Sequence, residues 1–250
     1  MPASDPDQAP TLDIAARRAT IRLCRPREHN RIDPDDIPVL LDHFDRIERT
    51  AGVDLVVVTG SGTKTFSSGY TIDAIRTRLD ASFERMLDRL ETMSIPTLCA
   101  MNGSVYGGAT DLALCCDFRT GITGMRMFMP AARFGLHYYP GGLRRYVTRL
   151  GPSTTKRIFL TGTTLHADEM LRVGFLTELV PRDALESAVD ACAHALAQCE
   201  PNVVRSMKRH IDGLAAGTWH DDDGRKAYSD SLTSDELARR VDAHRRKRER

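Results

Sequence analysis

Two glycine-bearing stretches hold the residues whose types and spacing bear most directly on chemistry. One is Lys64-Thr65-Phe66-Ser67-Ser68-Gly69-Tyr70-Thr71-Ile72; the other runs from Pro96 to Leu112 and contains Asn102-Gly103 and Gly107-Gly108. Each sets glycine between a strand pattern and a helix pattern, where backbone N–H groups are free and the helix dipole favours negative charge. Two such amides converging on one point would form an oxyanion hole, a pair of donors for charge developing on a carbonyl oxygen. The same stretches also read as two tight turns that let a helix pack closely on a strand. Pattern alone leaves both readings open.

Other tempting motifs fall away. Gly60-Ser61-Gly62-Thr63-Lys64-Thr65 follows a strand pattern, but Thr65 stands where GxGxxG needs its third glycine and no glycine directly precedes Lys64. His220-Asp221-Asp222-Asp223-Gly224 resembles a ligand cluster, yet consecutive carboxylates do not converge easily on one ion. A solvated turn is expected there, and no metal. Gly103-Ser104-Val105-Tyr106-Gly107 carries valine where a nucleophile elbow needs serine. The six cysteines, Cys24, Cys99, Cys115, Cys116, Cys192 and Cys199, form no CxxC pair, so reduced, buried thiols are expected.

The elements that must position the two stretches follow from periodicity. Thr11 to Cys24 suits two short strands and a turn. Asp33-Pro34-Asp35-Asp36 signals a helix start, and Ile37, Leu40, Leu41, Phe44 and Ile47 continue it at helical spacing until Gly52. Asp54 to Thr59 is a β-branched run typical of a buried parallel strand. Ile75, Leu79, Phe83, Met86, Leu87 and Leu90 predict one long amphipathic helix. Strands follow at Thr97 to Met101 and Met125 to Met129, with a short apolar helix from Ala109 to Cys116 between them. From Pro152 the chain reads as mostly helical. Alternating strands and helices with a helical tail predict an α/β core carrying an appended helical layer.

Composition sets the outer limits. With 250 residues the chain suffices for one large domain, and 41% hydrophobic residues exclude a disordered chain. Lys plus Arg number 35 against 34 Asp plus Glu, a formal charge of +1, which argues against whole-molecule steering toward nucleic acid. No apolar run approaches the ~20 residues of a membrane span. Residues 1–10 are acidic and proline-rich, without a basic-then-apolar leader. They read as a disordered N-terminus of a cytoplasmic protein.

The order of segments resembles the crotonase superfamily, the enoyl-CoA hydratase/isomerase family, from about Thr11 to the C-terminus. The marks are Phe66-Ser67-Ser68-Gly69, Asn102-Gly103 with Gly107-Gly108, Asp117, Pro130, Gly135, Gly141-Gly142, Leu160-Thr161-Gly162 and Gly174-Phe175-Leu176 near Val180. The resemblance implies a spiral of β-β-α units binding acyl-CoA over residues 11–195. It also implies a helical region, 196–250, that drives assembly into a homotrimer or a dimer of trimers. It places the thioester carbonyl on the backbone N–H groups of Tyr70 and Gly108. For CoA it suggests Arg27, Asn30 and Arg31, with Ser68 in the loop before the oxyanion residue and Lys247 near the end of the chain. No cofactor is implied, because CoA is part of the substrate.

The departures from that family are as informative. Its hydratases use two glutamates on one water; the matching positions are Asp111, a shorter acid, and Ala131, which cannot be an acid or base. Thr71 replaces a customary aspartate. His137-Tyr138-Tyr139 is polar and aromatic where an apolar turn is common. The stretch Gly103 to Ala109, with Tyr138, resembles methylmalonyl-CoA decarboxylase, in which a tyrosine positions the substrate carboxylate. The expected site is therefore Asp111, His137, Tyr138 and Tyr139, in a lyase that hydrates or decarboxylates through a thioester enolate. A catalytically reduced protein that binds acyl-CoA or RNA without turnover is the alternative. The tail from Arg239 to Arg250 has seven basic residues against two acids but no aromatic stacking partner, which favours a CoA contact or a solvated helix end over RNA.

Overall fold

The computed structural model describes residues 8–248, apart from the side chain of Lys247. The chain divides into two compact units, 1–198 and 199–250. The first unit opens with an antiparallel pair, β1 (Gln8–Ala15) and β2 (Arg18–Cys24), followed by α1 (Asp36–Arg49). Three units then repeat a pattern of two strands and a helical segment. They are β3 (Leu55–Gly60) and β4 (Thr65–Ser67) with α2 (Ile75–Arg78) and α3 (Ala81–Glu91); β5 (Thr97–Met101) and β6 (Ser104–Tyr106) with α4 (Gly108–Cys115); and β7 (Phe118–Ile122) and β8 (Arg126–Phe128) with α5 (Pro140–Thr161). The unit closes with β9 (Leu165–His166), α6 (Ala167–Arg172), β10 (Glu178–Val180) and α7 (Leu185–Ala197). The first strand of each repeat joins a six-stranded sheet, β1-β2-β3-β5-β7-β10, and the second joins a four-stranded sheet, β4-β6-β8-β9. This is the expected spiral of β-β-α units.

Strand β3 explains why the sheet can be covered on both faces. All six of its residues are buried, and it pairs in parallel with β2 and β5. Its alternation sends Val56 and Val58 into the main core and Leu55 and Val57 toward Val189 of α7. Buried thiols fill small spaces in that core, but Cys192 is half-buried and Cys199 exposed, so the expectation of six buried thiols holds for four.

Several local expectations are corrected. The stripe from Ile75 to Leu90 is two helices, because Leu79 turns extended and Asp80 caps α3 by accepting the Ser82 N–H at 2.7 Å. α1 starts at Asp36, and the Asp36 carboxylate, paired with Arg25, accepts the Asp33 N–H at 2.8 Å. α5 begins twelve residues before Pro152 and breaks at Gly151, with φ 76° and ψ 161°, directly ahead of that proline. β1 already includes Gln8, Ala9 and Pro10 of the segment expected to be disordered; residues 1–7 lie outside the described residues.

The second unit holds α8 (Pro201–Ala216), α9 (Asp221–Leu232) and α10 (Asp235–Arg248). Asp221, Asp222 and Asp223 form the acidic first turn of α9 rather than a solvated turn, complementing the helix dipole. No helix among the described residues is long and apolar enough to cross a membrane.

Candidate active site

Both glycine stretches end on the same cavity. Gly69, at φ 85°, turns the chain after β4 so that Ile32 donates to the Gly69 carbonyl at 2.7 Å and Thr71 donates to Ile32 at 3.0 Å. That bridge leaves the Tyr70 N–H facing away from Ile32. On the neighbouring crossover Gly107 adopts φ 52° and ψ −135°, conformations glycine accepts at little cost, and Gly108 is the first residue of α4. Among the described residues neither Tyr70 N nor Gly108 N donates a hydrogen bond. A Cβ built on Gly108 would lie 3.6 Å from Tyr70 N and 2.8 Å from Phe83 Cζ, so the two amides are neighbours and only glycine fits.

The cavity they line has a volume of about 540 Å³. Its walls are largely apolar, formed by Ile72, Ile75, Leu79, Phe83, Phe134 and Leu136 together with Tyr138 and Tyr139. Ala131, buried, presents a methyl group to it. His137 lines the rim, exposed, with Nδ1 2.8 Å from the Tyr138 carbonyl; since a carbonyl only accepts, that nitrogen carries the proton.

Asp111 is fully buried in α4 and does not form part of the cavity wall. Arg145 of α5, also fully buried, forks onto it through Nε at 2.9 Å from Oδ1 and Nη2 at 3.1 Å from Oδ2. Tyr138 donates to Oδ2 at 3.3 Å, and Tyr139 donates to the same oxygen. The two rings stack with centroids 4.4 Å apart. Burial, then the Asp111 charge, pushes both phenols well above the ordinary tyrosine range, so both remain protonated at neutral pH. Asp111 thus stands behind the tyrosines, saturated by four donors, rather than facing the cavity as an acid or base would.

The groups expected around CoA separate. Ser68 lines the cavity and Arg27 is exposed on the preceding loop. Asn30 is fully buried and serves the loop: its amide donates to Ser61 and Thr65 carbonyls at 2.8 and 3.0 Å and accepts from Arg25 N at 3.0 Å. A CoA contact through its side chain is therefore corrected to a structural role. Arg31 is held by Glu28 and Asp33 and donates to Thr71 Oγ1 at 2.7 Å. The Lys247 side chain lies outside the described residues.

Two site residues escaped the sequence reading. Arg145 follows another arginine in a helix with no local pattern to mark its burial. Glu84 belongs to α3 beside the apolar stripe; it lines the cavity and accepts the Gly141 N–H at 3.2 Å.

The family model for enoyl-CoA hydratase/isomerase matches residues 14–222. A crotonyl-CoA hydratase of Syntrophomonas wolfei is 28% identical over 181 residues, 70% of each chain. A short-chain-enoyl-CoA hydratase of Clostridium acetobutylicum is 25% identical over 208 residues, 80% of each. The crystal structure of an enoyl-CoA hydratase from Bacillus anthracis superposes with a TM-score of 0.85 over 96% of this chain and 97% of that one, at 23% identity, a likeness of fold.

Proposed function

The chain belongs to the enoyl-CoA hydratase/isomerase family, and from that premise we propose that it is a lyase adding water to, or removing it from, the α,β positions of an acyl-CoA thioester. The thioester oxygen accepts the Tyr70 and Gly108 N–H groups, and negative charge grows on it as the enolate forms. Each preorganised donor of this kind contributes about 3–4 kcal/mol to the transition state. The N-terminus of α4 adds its dipole at the same point.

What favours hydration over decarboxylation is the direction of the tyrosine protons. Tyr139 gives its proton to Asp111, and Tyr138 gives its own to Asp111 or to the Tyr139 oxygen 3.2 Å away. With both hydroxyl protons engaged in this way, neither is left to donate to a substrate carboxylate. Asp111 acts here as the anchor of the pair. CoA contacts are assigned to Ser68 and Arg27. The large apolar cavity favours an enoyl group longer than four carbons. Ala131 supports the other reading, acyl-CoA binding without turnover.

Incubating the pure protein with crotonyl-CoA, 2-hexenoyl-CoA and methylmalonyl-CoA, with products followed by mass, separates these readings. The expected result is a gain of one water on an enoyl thioester, fastest on hexenoyl. Loss of CO₂ from methylmalonyl-CoA alone would replace hydration with decarboxylation. Silence on all three with measurable thioester binding would leave a binder.

A further inference from the structure

Resting on the hydration reading, we propose that Glu84 is the acid–base residue of the reaction, accepting the proton of the attacking water and returning it to the α-carbon. Neither position matched to a family glutamate does this work: residue 131 is a methyl group, and both Asp111 oxygens are occupied by Arg145 and the tyrosines. Among the described residues the cavity wall holds two carboxylates, Asp80 and Glu84. Asp80 is exposed and already caps α3 through the Ser82 amide.

Glu84 is differently placed. It is half-buried, its Oε1 accepts the Gly141 N–H at 3.2 Å, and its Oε2 has no hydrogen-bond partner among the described residues. One oxygen is thus oriented and the other is free to take a proton. Successive glycines at the start of α5 bring this carboxylate beside the tyrosines. A Cβ on Gly141 would lie 2.8 Å from Glu84 Oε1, while one on Gly142 would collide with the Tyr138 ring and lie 2.9 Å from Asp111 Oδ2. Phe83, the preceding residue, meets Tyr70 edge-on at 5.2 Å and Tyr139 at 6.5 Å, so this turn of α3 sits between the oxyanion amides and the tyrosine pair.

The step balances without any other reactant. A water O–H bond breaks toward Glu84 as its oxygen bonds the β-carbon. The double-bond electrons move toward the thioester, leaving the enolate charge at the Tyr70 and Gly108 amides. Protonated Glu84 then gives its proton to the α-carbon, restoring the carboxylate and the thioester.

The test pairs hydration of 2-hexenoyl-CoA with exchange of the α-protons of hexanoyl-CoA in deuterium oxide, which needs the base and the enolate but no water addition. Glu84→Gln keeps an acceptor for Gly141 and so keeps the fold, which circular dichroism checks. The expected result is a loss of about 100-fold or more in kcat for both reactions, with KM changed less than threefold. Glu84→Gln exchanging within threefold of the wild type would overturn the role of Glu84, whatever hydration does. Wild-type exchange without hydration, abolished in Glu84→Gln, would uphold Glu84 while the hydratase reading failed. Wild-type silence in both would overturn the two together.

Discussion

At Asp111 one buried carboxylate meets Tyr138, Tyr139 and the fork of Arg145, and Arg145 also reaches Asp88 at 2.7 Å and Glu91 at 3.0 Å on α3. Burying such charges costs several kcal/mol per ion, and the cost is offset only while every partner remains. Arg145→Met should therefore lower stability by about 3–5 kcal/mol in urea titration, by stranding Asp111. Adding Asp111→Leu should recover part of that loss, since it removes the carboxylate that the first change strands. A single variant within 1 kcal/mol of the wild type would show that the pair matters little to stability. Asp111 could be picked out in the sequence because the family resemblance puts a glutamate at that position. Arg145, thirty-four positions later, could not, because its burial depends on α5 lying against α4.

Among the elements, the starts of α4 and α5 do most to shape the cavity, and both rest on adjacent glycines. At Gly108 an added methyl would press on Phe83 Cζ at 2.8 Å, displacing the ring that packs against Tyr70. Gly108→Ala should cost about 1–3 kcal/mol of stability through this overpacking. It should also lower kcat by at least ~10-fold, because an oxyanion donor shifts out of line. An alanine variant with kcat within twofold of the wild type would place the carbonyl elsewhere. The stripe from Ile75 to Leu90 was readable as helical, but its division was not. Apolar spacing runs across Leu79 and Asp80 unbroken, and only the cap on Ser82 stops one helix and starts another.

Over the whole molecule, the C-terminal unit leaves large apolar side chains in water. On α8, Val203, Met207, Ile211 and Leu214 recur at helical spacing and are exposed, Ile211 by 63%. Such a stripe is expected to be covered by further copies of the chain. Light scattering after gel filtration should give a trimer or a pair of trimers, and Ile211→Lys should shift it toward monomer. A wild-type monomer at micromolar concentration would remove that assembly. By itself the sequence determined the α/β class, the strands β3 and β5 and the two glycine turns, because these follow from local periodicity and backbone freedom. The β-β-α order came from the family resemblance, and the short strands β4, β6, β9 and β10 carry too few residues to show a period. The sequence also marked Ala131 and the tyrosine pair as departures. Only the tertiary structure decided that Asp111 is locked behind those tyrosines, that Asn30 serves its loop and that Glu84 faces the cavity. Those outcomes depend on which side chains from α3, α4 and α5 share one small space, and contacts between residues far apart in the chain leave no trace in local spacing.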